Sequence, residues 1–390
     1  MKALANPYAP GAGYPPPELA GRDGILDEAG LAIKMSRAGK PARSVMLVGL
    51  RGVGKTVLLN EIQSMADREG AFTDFIEVSK NEPLSVVIIA TLRAALLKLD
   101  RMKGVSEKVK KGLRVLKSFV GAVKVKYGDV EFSVDVEEEA GVADSGTLTR
   151  DLAELFLAAG EAAKARKSSI VILIDEIQNL ELDEFEALIM AIHRVDQKRL
   201  PFLVVGAGLP TLVKLSGDAK SYAERLFDYP DIGSLNDKDA RQALVAPAKD
   251  ADVAYDEKAV ALILQHTKGY PYFLQEWGYQ CWKAATKSPI TVKDVNTASK
   301  AAIARLDDNF FKSRYSRLAD PQKEYLRAMA ELGPGPHRSG DIAKQMRKTS
   351  QQVAFIRDAL MQNGMIYSPK YGYAAFTVPL FDEFMKRVMP

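Results

Sequence analysis

The sequence predicts an α/β protein: a parallel sheet covered by helices on both faces, then a helical unit, then a small unit of three helices and a hairpin. Three observations carry this. Four candidate strands, at residues 44–49, 72–78, 169–174 and 202–206, the first, third and fourth of them short apolar runs, alternate with amphipathic segments. Strands apolar along their whole length belong to parallel sheets buried from both sides. After residue 235 such runs stop and helical spacing takes over.

The 390 residues allow two or three cores at roughly 100–200 residues per domain. A hydrophobic fraction of 47% and a charged fraction of 27% are those of a folded chain. One cysteine, Cys281, excludes an internal disulfide framework. Three scattered histidines, His193, His266 and His337, argue against a zinc enzyme. No run approaches the length of a membrane span and no signal core is evident, so a soluble cytoplasmic protein with no membrane partner is expected.

Taken in order, the first 17 residues, rich in Pro, Gly and Ala, read as an arm laid on a surface. Residues 25–38 form a helix, and 44–49 a buried strand ending at glycine. The next helix carries Val57, Leu58, Ile62 and Met65 at helical spacing. A strand at 72–78 and an amphipathic helix at 84–99 follow. Residues 101–126 then hold nine Lys and Arg against Glu107 alone, and 129–144 seven acids and no base. Alternation on both sides of Gly128-Asp129 predicts a charged hairpin that places Lys126 opposite Glu131, the centre of an insertion at 101–144. Solvated and self-neutralising, or a protruding arm for a partner, are its two readings. Residues 169–174 are the most apolar strand, 202–206 another, and 237–315 a run of helices.

Domains are expected at 1–235, 236–315 and 316–390. Residues 300–390 hold 15 Lys and Arg against 9 Asp and Glu, a net of +6, leaving −2 of the chain total of +4 for the rest. In this last unit, 321–332, 339–346 and 349–363 read as helices, Gly364 as a helix stop, and 365–378 as a two-stranded wing.

Gly49-Leu50-Arg51-Gly52-Val53-Gly54-Lys55-Thr56 matches G-x-x-x-x-G-K-[ST] between an apolar strand and an amphipathic helix. Glycines let backbone N–H groups turn inward on a phosphate, and the following helix aims its positive end at the same anion. Arg51 to Val57, with Gly49, are the expected nucleotide contacts, Lys55 bridging phosphates and Thr56 holding Mg²⁺. Asp175 and Glu176 end the apolar strand 169–174. Asp175 is the expected Mg²⁺ partner, and Glu176 the group that polarises an attacking water. ATP or ADP with Mg²⁺ is the expected cofactor set.

At these residues the chain resembles the AAA+/STAND group of P-loop NTPases, near its origin-recognition-like branch. Pro16-Pro17-Glu18-Leu19-Ala20-Gly21-Arg22-Asp23 resembles the P-x-x-L-x-G-R-[ED] box that lines the adenine pocket, which implicates Gly21 and Arg22. Asp175-Glu176-Ile177-Gln178 resembles the group's D-E-x-Q motif. Gly269-Tyr270-Pro271 resembles the G-x-P motif of a helical lid, whose proline approaches the adenine. Arg225, before the last strand, is where the family often carries an arginine that senses the terminal phosphate. Two departures stand out. Val204-Val205-Gly206-Ala207-Gly208 lacks the family's polar sensor, and Tyr272 replaces the lid arginine near Gly269. The resemblance implies an ATPase, slow or partner-stimulated, acting as a switch.

The C-terminal unit resembles a winged helix-turn-helix. Double-stranded DNA would then meet Gln351, Gln352 and Arg357 on the third helix, Arg347 and Lys348 at its start, and Lys370 on the wing. Self-association or a protein partner, as in a defence or toxin-regulating switch with little DNA binding, is the alternative. Trp277, Trp282 and Tyr279 read as core, Cys281 as a buried thiol, and His193 as a helix-surface residue.

Overall fold

The computed structural model describes residues 3–11, 13–79, 81–102, 106–127 and 136–390. Contacts divide the chain into two compact units, one of residues 23–49 and 55–231, the other of residues 1–22, 50–54 and 232–390.

The first unit is built on five strands: β1 (Ser44–Gly49), β2 (Phe72–Glu77), β3 (Ile170–Asp175), β4 (Phe202–Gly208) and β5 (Phe227–Asp228). They lie in the order β2-β3-β4-β1-β5, and every pair along this path is parallel. β1, β3 and β4 are buried at every residue, the physical reason their sequences are continuous apolar runs. Helices α1 (Asp23–Arg37), α2 (Lys55–Arg68), α3 (Leu84–Asp100), α4 (Glu107–Tyr127), α5 (Leu148–Ala165), α6 (Leu182–Gln197), α7 (Thr211–Ala219) and α8 (Ala223–Leu226) complete the unit. The chain leaves it at the two-residue β6 (Asp231–Ile232). Registers Glu77↔Asp175, Ile174↔Gly206 and Val48↔Gly208 bring the carboxyl ends of β2, β3, β4 and β1 to one edge. Open α/β sheets bind ligands at that edge.

The charged insertion departs from the expected hairpin. Residues 123–127, expected as its first strand, are the last turns of α4. The reason lies in the spacing of Val109, Leu113, Leu116, Val120 and Val123, all buried, which repeats every three or four residues. Helical burial of that stripe outweighs a few residues of local alternation. The opposing strand, Glu131 included, lies outside the described residues. Self-neutralisation is partly visible. Arg114 Nε donates to Glu139 Oε2 at 2.8 Å and Lys117 Nζ to the Val136 carbonyl at 2.6 Å, and the Arg114 guanidinium lowers the Glu139 carboxyl below its ordinary range.

Asp196, in the last turn of α6, carries a titration that bears on stability. Burial pushes its carboxyl up to about 6. The native state therefore holds this proton more tightly than the unfolded chain, whose carboxylate titrates near about 3.9. Stability drops as pH rises between those values, and above them an ionised carboxylate is kept half-buried. Asp196→Asn is expected to stabilise the chain by about 1–2 kcal/mol at pH 8, after discounting for partial solvent access, and by nothing below about pH 4. Urea titrations at the two pH values check this, and equal gains at both would refute it.

The second unit opens on helices α9 (Asp237–Asp250), α10 (Glu257–Thr267), α11 (Pro271–Ala284) and α12 (Val292–Leu306). Asn236 caps α9 through the Asp239 N–H, and Thr291 and Asp294 form a reciprocal cap on α12. The N-terminal arm lies on these helices. Tyr8 is 3% exposed, its hydroxyl donates to the Leu244 carbonyl, and a Cβ at Gly278 would sit 2.5 Å from its ring. Trp277, Trp282 and Cys281 are buried core, and burial pushes the Cys281 thiol up to about 12, where it stays protonated.

A π-turn at Asp307–Phe311 leads to α13 (Lys312–Tyr315), α14 (Asp320–Glu331), β7 (His337–Arg338), α15 (Ser339–Gln345), α16 (Ser350–Gln362), β8 (Ile366–Tyr367), β9 (Tyr373–Phe376) and α17 (Phe381–Val388). Strands pair antiparallel in the order β7-β9-β8. Helices α14 to α16 followed by the β8–β9 wing make a winged helix-turn-helix. β7 and α17 lie outside the expected elements: two residues leave β7 no period to read, whereas Phe381, Phe384, Met385 and Val388 stand at helical spacing and made α17 legible.

Candidate functional site: a phosphate loop at the sheet edge

Between β1 and α2 the backbone takes the left-handed region twice, at Gly52 (φ 82°) and Gly54 (φ 98°). Side-chain-bearing residues rarely adopt such angles, so the motif's glycines are a backbone requirement. Lys55 opens α2, is 6% exposed, and its Nζ donates to the Gly49 carbonyl at 3.0 Å. The ammonium is thus held at the loop's own mouth. Thr56 Oγ1 donates to Asp175 Oδ2 at 2.6 Å, closing the distance between α2 and the end of β3. Burial raises the Asp175 carboxyl above its ordinary range, while hydrogen bonds from Thr56 and from the Glu176 N–H act the other way. A hydroxyl facing a carboxylate is an all-oxygen donor pair, which suits Mg²⁺.

Glu176 sits at φ 52°, in the left-handed region, just past β3. Its carboxylate accepts from the Gln178 side-chain amide, and Gln178 Oε1 in turn accepts the Leu209 N–H at 3.0 Å. Asn179 Nδ2 donates to the Val78 carbonyl at 3.0 Å, so the turn is tied to β2 and β4 on either side. The D-E-x-Q resemblance includes Gln178 but assigns it no role. The signal was available, because β4 ends without a polar side chain, and a Cβ at Gly208 would lie 2.8 Å from Gln178 Oε1. A glycine-ended strand makes room for a polar group arriving from elsewhere.

In the second unit, Arg22 is 8% exposed and its Nη2 donates to the carbonyls of Val53 (3.3 Å) and Gly233 (2.6 Å). Gly21, at φ 68°, abuts Asp239 at the start of α9. Pro271 occupies the first turn of α11, where its missing N–H costs nothing. Arg51 Nη1 donates to the carbonyls of Gly364 (3.1 Å) and Asn363 (3.5 Å), at the end of α16. Val57 is half-buried on α2, and Arg225 lies exposed on α8. Asp228, a neighbour of Arg225 in sequence, pairs with Arg43 at 2.9 Å.

On the winged helix, Arg347, Lys348, Gln351 and Lys370 are exposed, together with Phe355 at 84% and Tyr371 at the wing's tip. Lys348 stands 3.9 Å from Glu324, and Lys370 Nζ lies 4.1 Å from the Tyr373 ring centre. Two of the expected groups are engaged internally. Gln352 Oε1 accepts the Thr349 N–H at 2.8 Å as half of a helix cap, and Arg357 is half-buried, bonded to Asp358 and to Ser339 Oγ. The His193 and Tyr222 rings lie 4.6 Å apart, tilted by 36°. Among the described residues, no group of His, Cys, Asp and Glu could hold a metal by itself, and no helix is long and apolar enough to cross a membrane.

A glycine loop whose helix threonine meets the carboxylate ending another strand of the same sheet, here β3 with β4 between it and β1, defines the P-loop class. Within it, residues 18–205 match the AAA ATPase domain family, the stretch that holds the phosphate loop and both acids at the end of β3. A second family, a domain of unknown function (DUF8462), matches residues 308–385. No curated protein matches the sequence. Among solved structures, the Walker-type ATPase PABY2304 of Pyrococcus abyssi is 15% identical, with 92% of this chain and 95% of that one covered and a TM-score of 0.52. That likeness is one of fold. The Aeropyrum pernix ORC1 protein, solved in complex with DNA, is 16% identical over 100% and 97% of the two chains, TM-score 0.49. The Thermotoga maritima RuvB Holliday junction branch migration motor is 17% identical over 91% and 92%, TM-score 0.45.

Proposed function

We propose that the chain binds and hydrolyses ATP as a switch, and that its nucleotide state governs a C-terminal winged helix associated with double-stranded DNA. The observation that supports it most is the Thr56–Asp175 contact, which joins the two halves of a P-loop site. Mg²⁺, held by Thr56 and Asp175, would supply charge neutralisation at the phosphates. Lys55 turns from the Gly49 carbonyl to the phosphate oxygens. Glu176 accepts a proton from the attacking water as its oxygen bonds to the terminal phosphorus and the bond to the leaving diphosphate breaks. Gln178 holds Glu176 in place for this. Arg225, exposed on α8, is free to act across a self-association contact.

The division at 1–235, 236–315 and 316–390 belongs to the same reading, with ATPase core, helical lid and winged helix in turn. DNA association rests on the basic balance of residues 300–390 and on the exposure of Arg347, Lys348, Gln351 and Lys370. If three cations meet phosphates, log affinity for a duplex falls with log salt at a slope of about −3, and reversing Arg347 and Lys348 to Glu flattens it to about −1. Duplex titrations at several salt concentrations, with and without Mg·ATP, measure this. Undetectable binding at low salt with either nucleotide state removes the DNA role and leaves the protein-partner switch.

A further inference from the structure

The second unit holds a cavity of about 160 Å³ between its opening helices and α17. Its floor is apolar. Trp277 of α11, Leu306 of α12 and Phe311 of the π-turn line it, each at most 2% exposed. Trp277 Nε1 already donates to Ser299 Oγ at 3.0 Å, so the indole offers the cavity only ring surface. The half-buried His266 ring, at the end of α10, extends that surface, 6.0 Å from the indole and nearly parallel to it at 22°.

The rim is charged. Lys268, Glu383 and Arg387 line it and are exposed, so the cavity opens to solvent on their side. Two of these three charges are matched. Arg387 donates through Nε and Nη2 to the two carboxylate oxygens of Asp307, at 2.9 and 2.6 Å, and its Nη1 stands 4.0 Å from Glu383. Lys268 has no ion pair among the described residues. An apolar floor below one unmatched ammonium suits an anion with an apolar body.

Backbone angles single out the same place. Lys268 (φ 51°) and Leu380 (φ 63°) both occupy the left-handed region, which is costly for side chains of this size, and both line the cavity. Such strain gathers at ligand sites, where the surrounding structure holds it in place. The position after α10 is one where glycine is usual, and a lysine stands there although Gly269 follows.

We propose that this cavity binds a small single-ring aromatic carboxylate, its ring on Trp277, Leu306 and Phe311 and its carboxylate on Lys268. Volume sets the size of the occupant, since a cavity of roughly 150 Å³ lined by Leu, Ile and Phe accommodates one benzene ring. Aromatic walls favour a ring over a chain, and the ammonium supplies a charge-assisted contact. The occupant would touch α10, α11, α12 and α17 together, and so tie the helices that open the second unit to the region matched by DUF8462. No lining residue belongs to the phosphate loop, so binding here does not require nucleotide.

Tryptophan fluorescence and melting curves of the full chain, titrated with benzoate and with benzamide, test this. Benzamide has the same ring and no charge. Benzoate is expected to change the fluorescence saturably, with half-saturation at about 1 mM or below, and to raise the melting temperature. Benzamide is expected to bind about tenfold more weakly or worse. Lys268→Gly suits the left-handed angle and removes the ammonium, and is expected to bring benzoate down to the affinity of benzamide. Ile303→Phe places extra bulk in the cavity wall and is expected to remove both ligands. If that variant does not fold, the Lys268→Gly comparison decides alone. Benzoate without effect at about 10 mM, benzamide equal to benzoate, or Lys268→Gly binding benzoate as the wild type does, each overturns the proposal.

Discussion

Lys55→Ala is expected to raise the dissociation constant for ATP by about 100-fold or more while leaving the chain folded. The ammonium is 6% exposed and held at 3.0 Å on Gly49, so it is placed before any ligand arrives. Removing it leaves polyphosphate charge to the loop's neutral backbone N–H groups and to Arg51, whose guanidinium is engaged by the Asn363 and Gly364 carbonyls, and a charge-assisted contact is worth roughly twice a neutral one. Folding is little affected. Alanine suits the first turn of α2, and the Gly49 carbonyl loses one donor, about 1 kcal/mol. Equilibrium dialysis with labelled ATP, alongside a melting curve, reads both quantities. An affinity within threefold of wild type would place the phosphates elsewhere.

Glu176→Gln is the second large effect. Turnover is expected to fall roughly 10²- to 10⁴-fold, the range a positioned general base contributes, with ATP affinity nearly unchanged. The substitution is informative because the amide keeps an oxygen for the Gln178 side chain and keeps its tether to Leu209. Geometry is retained and basicity is lost. Phosphate release under single-turnover conditions measures the step. Turnover equal to wild type in the purified variant would sink the assignment of Glu176.

How much of this was legible in the sequence depended on the range of each interaction. β1, β3 and β4 announced themselves because burial on both faces demands apolar residues at every position. The glycine loop was legible because Gly52 and Gly54 answer to backbone angles, a local requirement. The stretch 123–127 was misread because Val123 and Val125 fit a strand's period while Val123, Val120 and Leu116 fit a helix's, and the longer stripe decided the outcome. Gln178 was legible as a motif residue but its role was not, since its partner Leu209 is 31 positions away. The second neighbour of Arg51, at Gly364, is 313 positions away, and no local pattern records it. Gln352 is exposed as expected while its Oε1 caps α16, and Arg357 is half-buried beside Asp358, contacts that no local pattern records.

The phosphate loop's turn at 50–54 groups with the C-terminal unit, not with the sheet on either side of it. The consequence concerns what a truncated protein would lack. A fragment ending at residue 235 would contain every residue of the glycine motif and both acids of β3. It would have lost the Tyr272 N–H on Gly52 and the α16 carbonyls on Arg51. Such a fragment would spell the nucleotide signature in full and lack the scaffolding that shapes its central turn.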